Sequence, residues 1–214
     1  MLPKIAKDLT TSAIAVLLFT VTLGVAYPLA VTGISQVAFA GKADGSLIKR
    51  DGNVVGSRLI GVARTLDTGR RNAQGNPITR PDPAYFQPRP SVTGYSATAT
   101  YFADRGPNSS SARYFYRDGL AAYLAQEGPY DPGLTKAQVP VDAVTASGSG
   151  VDPHISAANA AIQAHRVATV RKLPLDRVKA LIGDNTDGRF LGVFGEPGVN
   201  IPQLNLALDA LAHA

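Results

Sequence analysis

Ala13–Val31, AIAVLLFTVTLGVAYPLAV, is the centre of a stretch without one charged residue that runs from Leu9 to Gly41. A bilayer core about 30 Å thick takes roughly 20 apolar residues as a helix, and this segment supplies that length. Lys4 and Lys7 precede it, and cationic residues favour the cytoplasmic side of a span. The reading is therefore a membrane helix with its N-terminus inside and the rest of the chain outside. It divides the chain into a cytoplasmic tail 1–8, a transmembrane helix with its outer extension 9–40 (membrane core 13–31), and an extracytoplasmic domain 41–214. The competing reading is a cleaved signal peptide, because Ala38-Phe39-Ala40 fits the small-x-small cleavage pattern. A signal peptide has an apolar core of about 7–15 residues, shorter than this one. Ala40 also lies well beyond the core, and Tyr27 stands where an interfacial aromatic anchors a helix end. A retained anchor at the plasma membrane fits better. Pro28 is tolerable near the outer end, and Thr20, Thr22 and Gly24 form a small, weakly polar stripe. Thr20, Gly24, Tyr27 and Pro28 are the candidates for packing against another membrane helix.

Outside the span about 170 residues remain, enough for one domain with its own core. The absence of cysteine excludes thiol catalysis and thiolate metal sites. With 21 glycines and 15 prolines the domain is expected to be loop-rich. The net charge of +5 is unevenly spread: Arg58 to Arg117 holds nine arginines, no lysine and only Asp67, Asp82 and Asp104 as acids. From Asp118 onward the balance is slightly acidic. Nucleic acid is not expected as a partner of a domain outside the cell. Clustered arginines suit an acidic protein loop or lipid head groups, or are simply a solvated surface.

Gly45–Ile48 and Gly56–Gly61, joined through Asp51-Gly52-Asn53, predict a β-hairpin. Asp67–Pro90, rich in Gly, Pro, Asn and Arg without periodicity, predicts an extended loop. Ser109–Glu127 carries a Gly-interrupted helical pattern, and Val139–Thr145 predicts a short strand. Ser156–Arg171 predicts a helix with a Ser cap, and Pro174 opens another, with Leu175, Val178, Leu181 and Ile182 on one face and Gly183 closing it. Phe190–Phe194 is strand-like; Val199-Asn200-Ile201 leads into a terminal helix with Leu204, Leu208 and Leu211. Asn200 and Asn205 are expected to satisfy loop or helix-end backbone. The fold class is α+β: one N-terminal transmembrane helix, then a single loop-rich extracytoplasmic domain with its helices mostly C-terminal.

Phosphate machinery is missing: there is no Gly-rich loop ending in Gly-Lys-Ser/Thr and no Asp-Lys-Thr-Gly phosphorylation segment. Asp67-Thr68-Gly69 matches the aspartic-protease triplet, but it is a single copy beside Arg70 and Arg71 in a hydrophilic stretch. His154, His165 and His213 show no i,i+4 pairing, so no metal site is expected. The dense polar segment is Val144–Ser156, VTASGSGVDPHIS, expected to leave a strand and enter a helix, where backbone N–H groups can hold an anion. Its Ser, Asp and His also invite a hydrolase reading through Ser147 or Ser149 with His154. It lacks the Gly-x-Ser-x-Gly elbow, however, and Asp152 and His154 are too close in sequence for both to reach one serine unaided. A tightly turned helix-capping loop is the plainest reading.

Several of these motifs occur together in one family. Gly24–Leu29, Gly45–Ile48, Gly56–Gly61, Tyr85–Ser91 (YFQPRPS), Val144–Ser156, Gln163 with Arg166-Val167-Ala168, and Val199–Ile201 leading to Leu204–Asp209 follow in a fixed order. In that order and spacing the chain resembles the C subunit of the Kdp potassium-transporting ATPase over nearly its whole length; about 94–138 departs from the pattern. The resemblance implies an accessory, non-catalytic subunit of a complex that takes up K⁺ at the cost of ATP. Its partners would be a channel-like K⁺-conducting subunit, a P-type ATPase subunit phosphorylated on aspartate, a very small single-helix subunit, and lipid. It also implies a catalytic chaperone that raises the pump subunit's affinity for ATP. On that account Thr145, Ser147, Ser149, Asp152, His154, Gln163 and Arg166 are the candidate ligand residues. No intrinsic cofactor is expected, and ATP at this loop conflicts with the outward topology, since ATP is scarce outside. The expected mechanism is therefore indirect: the outer domain caps the mouth of the channel-like subunit, docked through arginines such as Arg70, Arg71, Arg80 and Arg89. The alternative is a stand-alone anchored anion-binding protein or sensor.

Overall fold

The computed structural model describes residues 2–96, 98–101 and 105–211. Asp104 and His213, counted above, lie outside the described residues. The chain separates into two units, 1–47 and 48–214.

In the first unit α1 (Leu2–Val21) passes into α2 (Tyr27–Ala43) through a π-turn at Thr22–Ala26. Pro28 is the cause. It has no N–H to donate, and its ring crowds the carbonyl four residues back, here that of Gly24. The wider turn relieves this, and Tyr27 N–H bonds to the Thr22 carbonyl instead. Phe39 leaves helical geometry (φ −143°, ψ 38°) and kinks α2 near its end. Pro3–Ala43 is long and apolar enough to cross a membrane.

The second unit begins with the expected hairpin, β1 (Leu47–Arg50) and β2 (Asn53–Ser57). Asp51 (φ 51°) and Gly52 (φ 79°) make the left-handed two-residue turn that such hairpins need. A second hairpin replaces the extended loop expected over 67–90. β3 (Thr65–Arg71) pairs antiparallel with β4 (Pro77–Pro81), Leu66 opposite Arg80 and Asp67 opposite Thr79. Every residue of both strands is exposed. With no buried face there is no apolar alternation to read, which is why the strands escape a pattern search. Asn72 closes the turn, its Oδ1 accepting from the N–H groups of Gln74 and Asn76.

α3 (Ser110–Glu127) is capped by Ser109, whose Oγ accepts from Ala112 N–H at 3.1 Å. The strand expected over Val139–Thr145 is instead a 3₁₀ turn at Val141–Ala143, preceded by another at Lys136–Gln138. Pro140 opens the later turn, and the turn aims Asp142 at the start of the next helix. The polar segment therefore leaves a 3₁₀ turn rather than a strand. β5 (His154–Ile155) then precedes α4 (Ala157–Arg171), and α5 (Leu175–Asp184) follows Pro174, running one residue past Gly183. β6 (Thr186–Asp187), β7 (Gly198–Asn200) and α6 (Ile201–Leu211) complete the fold. The small antiparallel sheet has the order β5-β7-β6, His154 opposite Asn200 and Thr186 opposite Val199.

Phe190–Phe194 is not a strand. It is a tight loop closed by one bridge between its ends, with Leu191 (φ 54°) and Gly192 (φ 75°) left-handed at the tip. The core lies between the sheet and α4, α5 and α6, around Phe86, Val167, Val178, Val199, Leu204 and Leu208. Each such side chain contributes roughly 1.5–3 kcal/mol on burial.

Candidate functional site

Tyr85–Ser91 has little regular structure of its own, so its backbone must find partners elsewhere. Two side-chain amides supply them. Asn205 on α6 accepts from Phe86 N–H at 3.0 Å and donates to Phe86 C=O at 2.9 Å. Gln163 on α4 does the same for Gln87, at 2.8 and 3.0 Å. Arg166 donates from Nη1 to the carbonyls of Pro83 and Tyr85, at 2.6 and 2.9 Å. Its Nε grips both oxygens of Glu127 at 2.9 and 3.0 Å, in a fully buried pair that ties α4 to α3. Burial pushes the Glu127 carboxyl above the usual carboxylate range, against the pull of Arg166. Tyr123 donates to Asn159 Oδ1 at 2.8 Å, and burial raises its hydroxyl pKa.

Gln163 also accepts from Arg166 Nη2 and donates to Asn159. Its two acceptor and two donor positions are thus all used within the chain. Gln163 and Arg166, candidate ligand residues by sequence, are buried clamps on the Pro83–Gln87 backbone. Asn159, Glu127 and Asn205 complete the clamp. Asn205 is recognisable from sequence as a backbone-satisfying asparagine; Asn159 and Glu127 carry no local signal.

Arg89 bonds to Thr145 and Asp152, Ser147 bonds to Ser149 and to the Asp152 N–H, and His154 faces Asp152, so the loop candidates form one linked cluster. Ser147 is buried, and its Oγ accepts from the N–H of Gly150 at 3.0 Å and of Asp152 at 3.4 Å. It also lies 3.2 Å from Ser149 Oγ. Ser91 and Thr93 both donate to the Gly150 carbonyl, at 2.6 and 3.1 Å. Gly150 has φ 77°, and a Cβ there would meet Thr93 Oγ1 and the Tyr101 carbonyl at 3.0 Å. Arg89 donates to Asp152 Oδ2 at 3.4 Å, Thr145 Oγ1 at 3.2 Å and the Ala146 carbonyl at 3.4 Å. Tyr95 donates to the Arg89 carbonyl, and burial raises its hydroxyl pKa.

His154 bridges two carboxylates, Nε2 lying 2.9 Å from Asp187 and Nδ1 3.7 Å from Asp152. The Asp152 carboxylate beside the ring raises the His154 pKa, with Asp187 adding to it and burial opposing. Burial disfavours ionisation of Asp152, but the His154 hydrogen bonds and the Arg89 charge outweigh it and hold the carboxyl below its usual range. Among the described residues no hydrogen bond joins His154 to Ser147 or Ser149, so a nucleophile–base pair is not assembled. The N-terminus of α4 already has its anion: Asp142 accepts from Ser156 N–H and Oγ at 2.8 Å and from Asn159 Nδ2 at 3.1 Å. Among the described residues no three His, Cys, Asp or Glu side chains converge on a metal position.

The docking candidates fall in two places. Arg70, Arg71 and Arg80 lie on the β3–β4 hairpin, where Arg71 pairs with Asp67 at 2.9 Å. Among the described residues nothing pairs with the side chain of Arg70 or Arg80. Arg89 turns inward to the polar loop instead. A cavity of about 550 Å³ opens between the hairpin, the Gln87–Tyr95 segment and α3, with Thr65, Thr79, Gln87, Arg89, Tyr123 and Gln163 on its wall.

The polar side chains of the second unit are largely spent on its own backbone, and the first unit holds one helix long and apolar enough to cross a membrane. The family model described as "K+-transporting ATPase, c chain" matches residues 9–210. The potassium-transporting ATPase KdpC subunit of Polaromonas naphthalenivorans is 47% identical over 201 residues, covering 92% of each chain. That of Mycobacterium tuberculosis is 41% identical over 208 residues, covering 96% of this chain and 99% of the relative. That of Caldanaerobacter subterraneus is 41% identical over 192 residues, covering 90% and 89%. The chain belongs to the family of K⁺-transporting ATPase C chains.

Proposed function

We propose that this chain is the accessory subunit of an ATP-driven potassium uptake complex, anchored by its apolar helix and docked through the β3–β4 hairpin on the channel-like subunit. The observation that carries the docking mode is a two-stranded hairpin exposed along both strands, with no partner for the side chains of Arg70 and Arg80 among the described residues. Such a hairpin is marginal in water on its own, and a second surface to lie against stabilises it. The domain stands outside the cell with residues 1–8 inside, and its cations face the acidic loops around the channel mouth and shape the field met by incoming K⁺. The pump subunit and a small single-helix subunit complete the assembly. A Cβ at Gly24 would meet nothing of this chain nearer than Thr20 Cγ2 at 3.9 Å, so the glycine is not required by the helix itself. The Thr20–Gly24 face, widened at the π-turn beside Tyr27 and Pro28, suits close approach of a partner helix.

Support of ATP use by the pump subunit is indirect on this reading. Gln163 has no free valence for a nucleotide, Arg166 is fully buried with four of its five N–H groups bonded within the chain, and Asp142 occupies the anion position at α4. The test is Arg70→Ser with Arg80→Ser in the assembled complex. Partner co-purification or K⁺ affinity should fall while the domain stays folded; unchanged behaviour of both sinks the docking mode. Protease protection in intact cells tests the topology: digestion of the domain from outside is expected, and protection until lysis would reverse it.

A further inference from the structure

The loop between β6 and β7 puts four bulky apolar side chains into water. Phe190 is 71% exposed, Leu191 76%, Val193 71% and Phe194 64%. The chain accepts a left-handed Leu191 at φ 54° to hold this shape, a conformation uncommon for a branched residue. Water alone gives no reason to display such a tip, and clustered exposed apolar side chains mark a contact surface.

Two features say what kind of surface it meets. The base of the loop bonds to itself: Phe190 and Phe194 exchange hydrogen bonds at 2.8 and 2.9 Å, Gly192 N–H bonds to the Arg189 carbonyl at 3.0 Å, and Val193 N–H to that of Phe190 at 3.2 Å. The flanking charges neutralise each other, Arg189 Nη2 lying 3.2 and 3.1 Å from the two Glu196 oxygens. Pairing N–H and C=O groups within the loop lowers the cost of leaving water, because lipid tails offer no partner, and the carbonyls left at the tip suit the hydrated interface rather than the hydrocarbon centre. The second feature is the tether. Only residues 44–47 separate the end of α2 from the domain. Twelve helical residues past Val31 hold that junction about 18 Å beyond the membrane core, and a domain with a radius of gyration of about 15 Å is wide enough to reach back over that distance.

We propose that the Arg189–Glu196 loop is a lipid-inserting wedge: Phe190, Leu191, Val193 and Phe194 enter the interface of the membrane that holds the N-terminal helix, giving the domain a second contact with lipid. The wedge stands independently of the docking through β3 and β4.

The chain has no tryptophan, so one introduced indole reports its own surroundings. The full-length chain carrying Phe194→Trp is reconstituted into phosphatidylcholine vesicles with and without brominated acyl chains; Phe19→Trp serves as the reference inside the span. Val193→Trp is run beside it in case the Phe194 change loosens the bridge. Bromolipid should quench the loop indole at least twofold and its emission should be blue-shifted, with Leu191→Ser in the same background restoring water-like emission. Emission of a water-exposed indole without quenching at both positions, while the Phe19→Trp reference is quenched, overturns the proposal. Shielding that develops only when the partner subunits are added also overturns it, and makes the tip a protein contact.

Discussion

Residues 65–81 and 82–91 are neighbours in sequence and opposites in physics. The hairpin has regular strands, a ladder and a closed turn, yet none of its residues is buried. The segment after it has almost no regular structure, yet Phe86 is fully buried and Asn205, Gln163 and Arg166 hold the backbone around it. Regularity and stability are therefore separate here. A strand pair needs only its own hydrogen bonds to form a pattern, whereas the irregular segment survives because amide and guanidinium groups from two helices meet the backbone groups it cannot satisfy locally. A polar group with every valence used inside the chain is architecture, and the hairpin arginines without a partner among the described residues carry no such role.

Arg166→Ala is the severest challenge to the clamp. It strands the buried Glu127 carboxylate and two loop carbonyls, and should cost about 3–5 kcal/mol in denaturant unfolding. A loss below about 1 kcal/mol would mean the pair is not a buried clamp at all. Asn205→Ala leaves the Phe86 N–H and C=O unpaired and should cost about 2 kcal/mol, read as a lower melting temperature. Gly61→Ala tests the floor beneath the polar loop. Its Cβ would stand 2.5 Å from Tyr95 Cε1 and 2.6 Å from the Asp152 carbonyl, and overpacking of that kind costs about 1–3 kcal/mol.

A pH titration of stability gives a smaller effect. The His154 pKa is raised in the fold, so its contribution is complete below pH 6.5 and is lost as pH rises through the folded value. Asp152 is lowered, so its contribution is present above pH 3.8 and is lost as pH falls through its folded value. His154 is partly exposed, so the effect should stay below about 1 kcal/mol, and His154→Ala should flatten the neutral-side slope. Arg70→Ser with Arg80→Ser belongs at the far end: stability should change by no more than about 0.5 kcal/mol, while association with the partner subunits weakens. If stability fell instead, the hairpin would be architecture and the contrast would fail.

Sequence reading succeeded where the signal is local. Asp51-Gly52 sets a turn by backbone conformation alone, Ser156 caps α4, Pro174 opens α5, and the leucine spacing marks α6. It failed at 139–145, where three valines look like a strand but Pro140 and the reach of Asp142 to α4 favour a 3₁₀ turn. It failed again at 190–194, where an apolar run is a loop tip and not a buried strand. The polar loop is legible in sequence as a cluster, but its closure by Ser91, Thr93 and Arg89 is not, because those residues lie more than fifty positions away.

A single apolar span, a C-terminal helical half and membership of one transport family were legible in residues 9–41, 156–171 and the ordered motifs, because length, capping chemistry and spacing act over a few residues at a time. The pairing of Gln163 with Gln87, of Arg166 with Glu127 and of Asn205 with Phe86 spans 76, 39 and 119 positions. An amide or a guanidinium in a sequence is equally a ligand group and a brace. Folding decides which, since a hydrogen-bonding atom serves whichever partner is brought within about 3 Å of it.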